Sequence, residues 1–504
     1  MKLLPSTASL LFSSLLVGCI SPPVEAPQTR VEQQTNVATG QNLKDKVDVL
    51  FMVDDSGSMA PKQDALKTRF PDLIKILDSF AVDTPANGTT PARKGSPASY
   101  HIGVVTSDLG APGISCGHNL GAKLQKVGKA SSGCQGPVGT NYIEYDQKTG
   151  ANNFSSTGQS LADTFSCMAT VGAPTTAGYT GCGFESQLES VYRALRDPIP
   201  ENAGFLRDDA ILAVVWVTDE DDCSVDPDSD LFSNPKYGPQ NSYLCAQYGI
   251  VCDGMLLPGT PQASFNNCAP ATPAQGGKLT DLKKYIDFFT LPKGKGGLKT
   301  NPRDIVLASI SAPSSPVGSM AVSGAANCGS GAGTCTNIGH SCNASASFFG
   351  DPAVRIDAVL EKAQNHQITS ICDSDYKSAL EGVGRQIVSV LGPACLTSPI
   401  GDLSNPDCVV ADVTTIDGMD KPSGIAFCGA NGGVVPCWKL EQLPNCPQLC
   451  NPNDCKFQQV GVMIDRGGLA APANTTAVVS CNTIAIANED PNARCMAPTL
   501  HCGS

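Results

Sequence analysis

Charged and aromatic residues are scarce in this chain. Only 16% of its 504 residues are Asp, Glu, Lys or Arg, and 6% are Phe, Trp or Tyr. Basic residues are the scarcer sign, 34 against 47 acidic ones, which gives a net charge of -13. Nucleic-acid binding depends on Lys and Arg that neutralise phosphates, so this balance argues against a nucleic-acid partner. Because 41% of the residues are hydrophobic, the chain can nevertheless bury a core.

Familiar catalytic and zinc-binding patterns are also missing. None of the five histidines belongs to an H-E-x-x-H pair, and no C-x-x-C occurs. A formal match to G-x-S-x-G begins at Gly113, but Ala111 and Pro112 precede it in place of a buried strand. We therefore predict that the protein is not an enzyme.

Cysteine, in contrast, is abundant. The chain has 23 cysteines, and thiols in such number persist as disulfides outside the cytosol, which predicts an exported protein. Without Cys19 they fall into groups of eight (116 to 268), five (328 to 395) and nine (408 to 502). If all of these cysteines are paired, the odd number in the last group predicts at least one bridge from the C-terminal region to the rest of the chain.

Two short loops offer local disulfide partners. We expect pairs such as Cys116 with Cys134 and Cys245 with Cys252, because each would close a short loop. Spacing alone does not fix disulfide connectivity, so other pairings stay open.

The N-terminus has the features of an export signal. Lys2 is followed by an apolar run too short to span a bilayer, which ends at Val17. The sequence Leu16 to Cys19 resembles the lipobox of bacterial lipoproteins. That resemblance implies that residues 1–18 are removed and that Cys19 is lipidated, and Ile20 after it implies an outer-membrane destination. The alternative is an ordinary signal peptide with Cys19 near its cleavage site.

The rest of the chain divides into three parts. Residues 19–45 are rich in Pro, Gln, Thr and Val without periodicity and predict a flexible linker. Residues 46–396 alternate apolar strands with helical patterns, which predicts an α/β domain with a mainly parallel sheet covered on both faces. Residues 397–504 lose the helical signal and predict a small disulfide-pinned β module.

Individual elements of the α/β domain can be placed by their periodicity. Long Gly-, Ser- and Cys-rich insertions interrupt the series near 108–158, 224–277 and 312–350. We predict strands at 47–53, 100–106, 211–217 and 305–310, and helices at 61–80, 160–170, 185–196, 279–289, 353–363 and 376–391.

Oxygen-bearing side chains follow two of these strands. Asp54, Ser56 and Ser58 stand at alternate positions after the first strand, and Asp219 follows the strand at 211–217. Carboxylates and hydroxyls are hard ligands suited to Mg²⁺ or Ca²⁺. In doubly wound sheets, ligands bind beyond the strand ends where the strand order reverses. The alternative is a capped helix start, but a cap does not require a second strand that ends in an acid.

The run Val53 to Met59 resembles the D-x-S-x-S signature of the von Willebrand factor type A domain, and Asp219 resembles its later aspartate. The resemblance covers residues 46–396 and implies a doubly wound, Rossmann-like sheet with a metal-ion-dependent adhesion site at its switch point. It implies that Ser56 and Ser58 bind a divalent cation directly, and Asp54 and Asp219 directly or through water.

The family also uses a threonine from an intermediate loop. Thr180 is the preferred candidate, with Thr175 and Thr176 as alternatives. Where the family often has glycine after the later aspartate, this chain has Glu220-Asp221-Asp222. The additional negative charge favours a cation, and Ca²⁺ over Mg²⁺.

These features predict a lipid-anchored cell-envelope protein that binds a protein ligand through a divalent cation. The open position on the metal would accept an acidic group of the partner, and the chain resembles cysteine-rich type A lipoproteins of Gram-negative bacteria. Two alternatives stay open. One is an exported enzyme with catalytic residues in 397–504, and the other is a structural envelope protein whose metal only stabilises the fold.

Overall fold

The computed structural model describes residues 32–40, 46–78, 99–115, 119–128, 133–147, 149–172, 182–324, 328, 333–391, 394–396, 398–416, 419–429, 432–442, 446, 449–451, 456–467 and 475–484. Within these ranges, no helix is both long enough and apolar enough to cross a bilayer. Cys19, Thr175, Thr176 and Thr180 lie outside them.

A six-stranded, mainly parallel sheet forms the centre of the α/β region, as predicted. Its order is β6-β5-β4-β1-β2-β3, and only the β2–β3 pair is antiparallel. The chain thus builds outward from β1 in one direction and from β4 in the other, so the strand order reverses between β1 and β4. The strands are β1 Lys46–Val53, β2 Ser99–Thr106, β3 Ile143–Asp146, β4 Ile211–Val217, β5 Ile305–Ser311 and β6 Asn365–Ser370.

Helices cover both faces of this sheet. The helices α1, α2 and α7 pack on one face, and α3, α5 and α6 pack on the other. Successive strand residues point to opposite faces, so Phe51 meets Phe70 and Phe165 on the first face while Leu50 belongs to the second core. The helices are α1 Ala60–Asp78, α2 Leu161–Ala169, α3 Gln187–Arg196, α4 Tyr243–Gly249, α5 Lys283–Thr290, α6 Val354–Leu360 and α7 Lys377–Leu391.

Small elements occupy the insertions and connections. A three-stranded sheet joins Met255–Leu256, Ile250–Cys252 and Cys268–Pro270, and two hairpins pair Ser319–Ser323 with Thr334–Ile338 and Cys342–Ser345 with Phe348–Gly350. Single 3-10 turns lie at Gly57–Met59, Ser155–Thr157, Pro200–Asn202, Pro235–Tyr237, Pro273–Gln275, Lys293–Lys295 and Pro302–Asp304.

The disulfides differ from the local pairs expected from spacing. Cys134 bonds Cys167 of α2, so its expected pair with Cys116 is wrong. Cys245 bonds Cys223, and Cys252 bonds Cys268 opposite it in the antiparallel sheet, so the Cys245–Cys252 pair is also wrong. Packing, not loop length, selects the partners. Four further bridges are Cys328–Cys335, Cys342–Cys372, Cys408–Cys481 and Cys428–Cys437.

Most of the C-terminal strands belong to a second, seven-stranded sheet, which has a hydrophobic core of its own. This core includes Val410, Trp438, Val460 and Val479, together with Leu396. In sheet order its strands are Glu32–Gly40, Thr475–Ile484, Cys408–Ile416, Met419–Phe427, Cys437–Gln442, Val460–Asp465 and Ala394–Cys395. A separate pair joins Leu449–Asn451 and Lys456–Gln458.

The second sheet takes in residues from outside 397–504. Its first strand, Glu32–Gly40, comes from the segment predicted as a linker and pairs antiparallel with Thr475–Ile484. Ala394–Cys395 pairs with Val460–Asp465. The disulfides of both regions are those of an exported protein.

Candidate functional site

The candidate site lies where β1 and β4 end. The backbone N–H of Asp54 donates to the carbonyl of Val217 at 3.0 Å, so the two strand ends are joined. Both strands run in the same direction, and their carboxyl ends therefore meet at the point where the strand order reverses. Asp54 and Asp219 are brought to this edge as the sequence predicts, and they are 0% and 2% exposed.

The turn after β1 is organised by the carboxylate of Asp54. Its Oδ1 accepts the N–H of Ser56 at 2.7 Å, and its Oδ2 accepts the hydroxyl of Thr218 at 2.8 Å. The hydroxyl oxygens of Ser56 and Ser58 are 3.1 Å apart. Ser56 precedes the turn Gly57–Met59, but its side chain makes no capping hydrogen bond to it. Ser56 therefore does not cap this turn with its side chain, and its hydroxyl lies beside that of Ser58.

Asp219 is bonded to a lysine from α1. Its Oδ2 accepts a hydrogen bond from Nζ of Lys62, while its Oδ1 has no hydrogen-bond partner although it is buried. Burial raises the pKa of Asp219 to about 6, with a further upward contribution from the charge of Asp54 and a downward one from Lys62. Burial, more than its neighbours, thus disfavours the charged form of Asp219.

Glu185 is a site residue that sequence reasoning missed. It lies in the loop before α3, is 1% exposed, and is close enough to Asp54 for that carboxylate to raise its pKa. Burial, and then the charges of Asp54, Glu220 and Asp219, raise its pKa well above the usual range. Its Oε2 accepts from Gln187 Nε2 at 3.0 Å, while its Oε1 has no partner. The threonine candidates precede it in the sequence. An acidic residue so close to the predicted threonine ligand was the signal that could have identified Glu185.

The three acidic residues after Asp219 have different surroundings. Burial raises the pKa of Glu220 well above its usual range, followed by the charges of Asp351, Asp219 and Asp54. Asp221 instead accepts the N–H groups of the first residues of α6 at 2.9 to 3.1 Å.

Asp222 pairs with an arginine of α6. Its Oδ2 lies 3.2 Å from the guanidinium of Arg355, which is itself buried. Glu220 is thus the residue of the three whose pKa is raised by Asp54 and Asp219, whereas Asp221 accepts N–H groups at the start of α6 and Asp222 pairs with Arg355.

A disulfide-pinned hairpin covers one side of the site. Its strands are Cys342–Ser345 and Phe348–Gly350, and Cys342 is bonded to Cys372 after β6. The next residue, Asp351, donates its N–H to the carbonyl of Asp219 at 2.8 Å and pairs with Nδ1 of His340 at 2.7 Å.

Gly350 allows this close approach of the hairpin. A Cβ at that position would lie 2.7 Å from Cβ of Ala312 and 3.2 Å from the carbonyl oxygen of Asp219. Glycine is therefore required where the hairpin meets the strand ends.

The donor set fits a hard divalent cation. Two serine hydroxyls stand beside the carboxylates of Asp54, Glu185 and Asp219, and two carboxylate oxygens there are buried without a hydrogen-bond partner. Across the part of the chain that the structure describes, no group of three or more His, Cys, Asp or Glu side chains forms a ready metal site. Of these carboxylates, that of Asp219 is instead bonded to the ammonium of Lys62.

No protein-family model matches the chain, and no curated protein sequence matches it.

Proposed function

We propose that this protein is a lipid-anchored component of the cell envelope that binds a protein ligand through a divalent cation at the β1–β4 edge. The proposal joins the resemblance to the von Willebrand factor type A domain with the position of Asp54, Ser56, Ser58 and Asp219 at the switch point. A strand order of 3-2-1-4-5-6, counted in chain order, is that of doubly wound folds that bind ligands at this place.

The imbalance of buried charge carries the proposal. Burial and then neighbouring charges, that of Asp54 among them, raise the pKa values of Glu185, Asp219 and Glu220, and the ammonium of Lys62 is bonded to Asp219. Buried carboxylates repel one another unless protons or cations neutralise them. A divalent cation would supply the neutralising charge, with hard oxygen ligands that suit Mg²⁺ or Ca²⁺.

The exposed side of the site suits a partner. Gly57 is exposed and Ser58 is partly exposed, whereas Asp54 and Asp219 are buried behind them. A cation held by Ser56, Ser58 and the two aspartates would therefore have its free side toward the serine turn. An acidic side chain of a protein ligand could complete the coordination there. Thr180 stays a predicted ligand, and Glu185 is the residue of the same loop that contacts Asp54.

The anchor is proposed from the N-terminal sequence. The lipobox-like Leu16 to Cys19 would place a lipid on Cys19, and the following Ile20 favours the outer membrane. Mass spectrometry of the mature N-terminus tests this. A diacylated Cys19 is expected, and a soluble form with an unmodified N-terminus cut at another residue would contradict the anchor.

Titration calorimetry with Mg²⁺ and Ca²⁺ tests the cation site. Asp54→Ala should bind the cation much more weakly than wild type, because it loses a charged group, and Ser58→Ala moderately more weakly, because it loses a neutral ligand. Asp64→Ala is the matched control, since Asp64 is an exposed aspartate of α1 with a side chain that is 73% exposed. Equal affinity of Asp54→Ala and wild type would reject the site.

A binding assay separates adhesion from a metal that only stabilises the fold. The second candidate is favoured by the complete burial of Asp54. If the cation recruits a partner, capture of that partner from cell-envelope extracts should be lost with chelator and with Asp54→Ala, while the thermal melt of the variant stays cooperative. Unfolding of the variant, or capture that survives it, would favour a structural metal.

A further inference from the structure

Lys62 is held inside the acidic site by contacts from three parts of the chain. Its side chain is completely buried, and its Nζ bonds Oδ2 of Asp219 after β4. Nζ also lies 3.4 Å from the carbonyl oxygen of Ser58 and 4.1 Å from the ring centroid of Phe349 in the hairpin. An ammonium over an aromatic face and beside a carboxylate is a fully accommodated cation.

Through these contacts Lys62 is bonded to Asp219, which is one of the proposed metal ligands. Asp219 offers one oxygen to Lys62, and its other oxygen is buried without a partner. A divalent cation must either displace the ammonium from Asp219 or bind the free oxygen while the ammonium stays. In both cases the positive charge of Lys62 opposes the entry of the metal, by occupying a ligand or by repulsion.

We infer that Lys62 is a built-in competitor that sets the affinity of this site for divalent cations. The inference rests on the proposed function, because it concerns the same site. In the metal-free protein Lys62 neutralises Asp219, which limits the repulsion among the carboxylates. The cation therefore binds against an internal counter-charge, and its affinity is lower than the ligands alone would give.

The test compares Mg²⁺ and Ca²⁺ affinities of wild type, Lys62→Met and Lys62→Arg by titration calorimetry. Removal of the charge in Lys62→Met should raise the affinity at least tenfold. Lys62→Arg keeps the charge and should stay within about threefold of wild type. Lys75→Met is the control for net charge, because Lys75 lies on the same helix with a side chain that is 75% exposed. Its affinity should equal that of wild type.

Thermal melts give a second readout. Without a cation, Lys62→Met leaves Asp219 buried without its counter-charge and should melt at a lower temperature than wild type. Added Ca²⁺ should raise its melting temperature more than that of wild type. If Lys62→Met does not fold without a cation, Lys62→Gln replaces it, since the glutamine amide can still donate to Asp219 without charge.

The outcomes separate this inference from the proposed function. If wild type binds the cation and neither neutral variant binds more tightly, the inference is overturned and the proposed function stands. If only the neutral variants bind, the inference holds and the cation-dependent function of wild type fails. If neither wild type nor the neutral variants bind, both are overturned.

Discussion

The hydroxyl of Thr218 lies 2.8 Å from Oδ2 of Asp54 and donates a hydrogen bond to it, which ties the end of β4 to the end of β1. The other carboxylate oxygen of Asp54 accepts the N–H of Ser56. Asp54 is therefore oriented by hydrogen bonds before any ligand arrives, and such outer contacts tune the ligands of metal sites.

Thr218→Val should test this orienting role. The change keeps the shape but removes the donor to Asp54 and the acceptor of the Gln187 amide at 3.2 Å. We expect a loss of about 1–3 kcal/mol in the free energy of unfolding, and a loss of about 10- to 100-fold in cation affinity. Denaturant unfolding and calorimetry would measure them. The control is Thr369→Val in the edge strand β6. It removes a comparable hydrogen bond to the carbonyl of Ser309 in β5 and should lower stability without changing cation affinity.

Glu185→Gln should separate charge from shape in the loop before α3. The variant keeps the size of the side chain but removes one of the crowded carboxylates, so the metal-free protein should melt at a higher temperature. Cation affinity should fall at least tenfold if Glu185 contributes to the site. Glu201→Gln changes a half-buried glutamate that is paired with Lys123 and serves as the control for cation affinity. An unchanged cation affinity in Glu185→Gln would exclude Glu185 from the site.

The pH dependence of stability should include a contribution from Asp357 of α6. Burial raises the pKa of this carboxyl group to about 7. Because the folded-state pKa exceeds the unfolded one, the protonated form stabilises the fold at low pH, and this contribution is lost as the pH rises through about 7. Asp357→Asn, which stays neutral, should therefore gain stability over wild type between pH 4 and 8. The free energies of unfolding of both proteins should be measured across this range. A difference between them that does not change with pH would contradict the assignment.

The bridge between Cys342 and Cys372 should stabilise the hairpin over the site. It spans 30 residues, whereas Cys328–Cys335 spans seven. Replacement of both cysteines by serine should lower the free energy of unfolding by about 2–4 kcal/mol for the longer loop, and by about 1 kcal/mol less for the shorter one. Denaturant unfolding of the two double variants measures the difference. A loss of less than about 1 kcal/mol for Cys342–Cys372 would show that the hairpin gains little from its bridge.

The central strands could be predicted because they are buried on both faces. Every residue of β4 is buried, and its continuous apolar run is typical of an inner parallel strand. The edge strands β3 and β6 were missed for the opposite reason. All six residues of β6, Asn365–Ser370, are only partly buried, so polar side chains are tolerated and the apolar signal is absent.

The site was predictable in part for the same geometric reason. Asp54 and Asp219 follow adjacent parallel strands, and strand ends necessarily meet at one edge of a sheet. Glu185 and Lys62 could not be placed in this way. Their position depends on how a loop and a helix pack against the sheet, and a lysine on a helix is ordinarily solvated.

The second sheet cannot be completed until the end of the chain has been synthesised, because its strand Glu32–Gly40 pairs with Thr475–Ile484. The first strand is synthesised early, and its partner follows about 450 residues later, which at about 5–20 residues per second is roughly 20 to 90 seconds. All six strands of the parallel sheet are synthesised in between. A nascent chain that stops before residue 475 would therefore retain every strand of the candidate binding site, but its two ends could not join. The Glu32–Gly40 strand would then remain as an open edge, available to other chains.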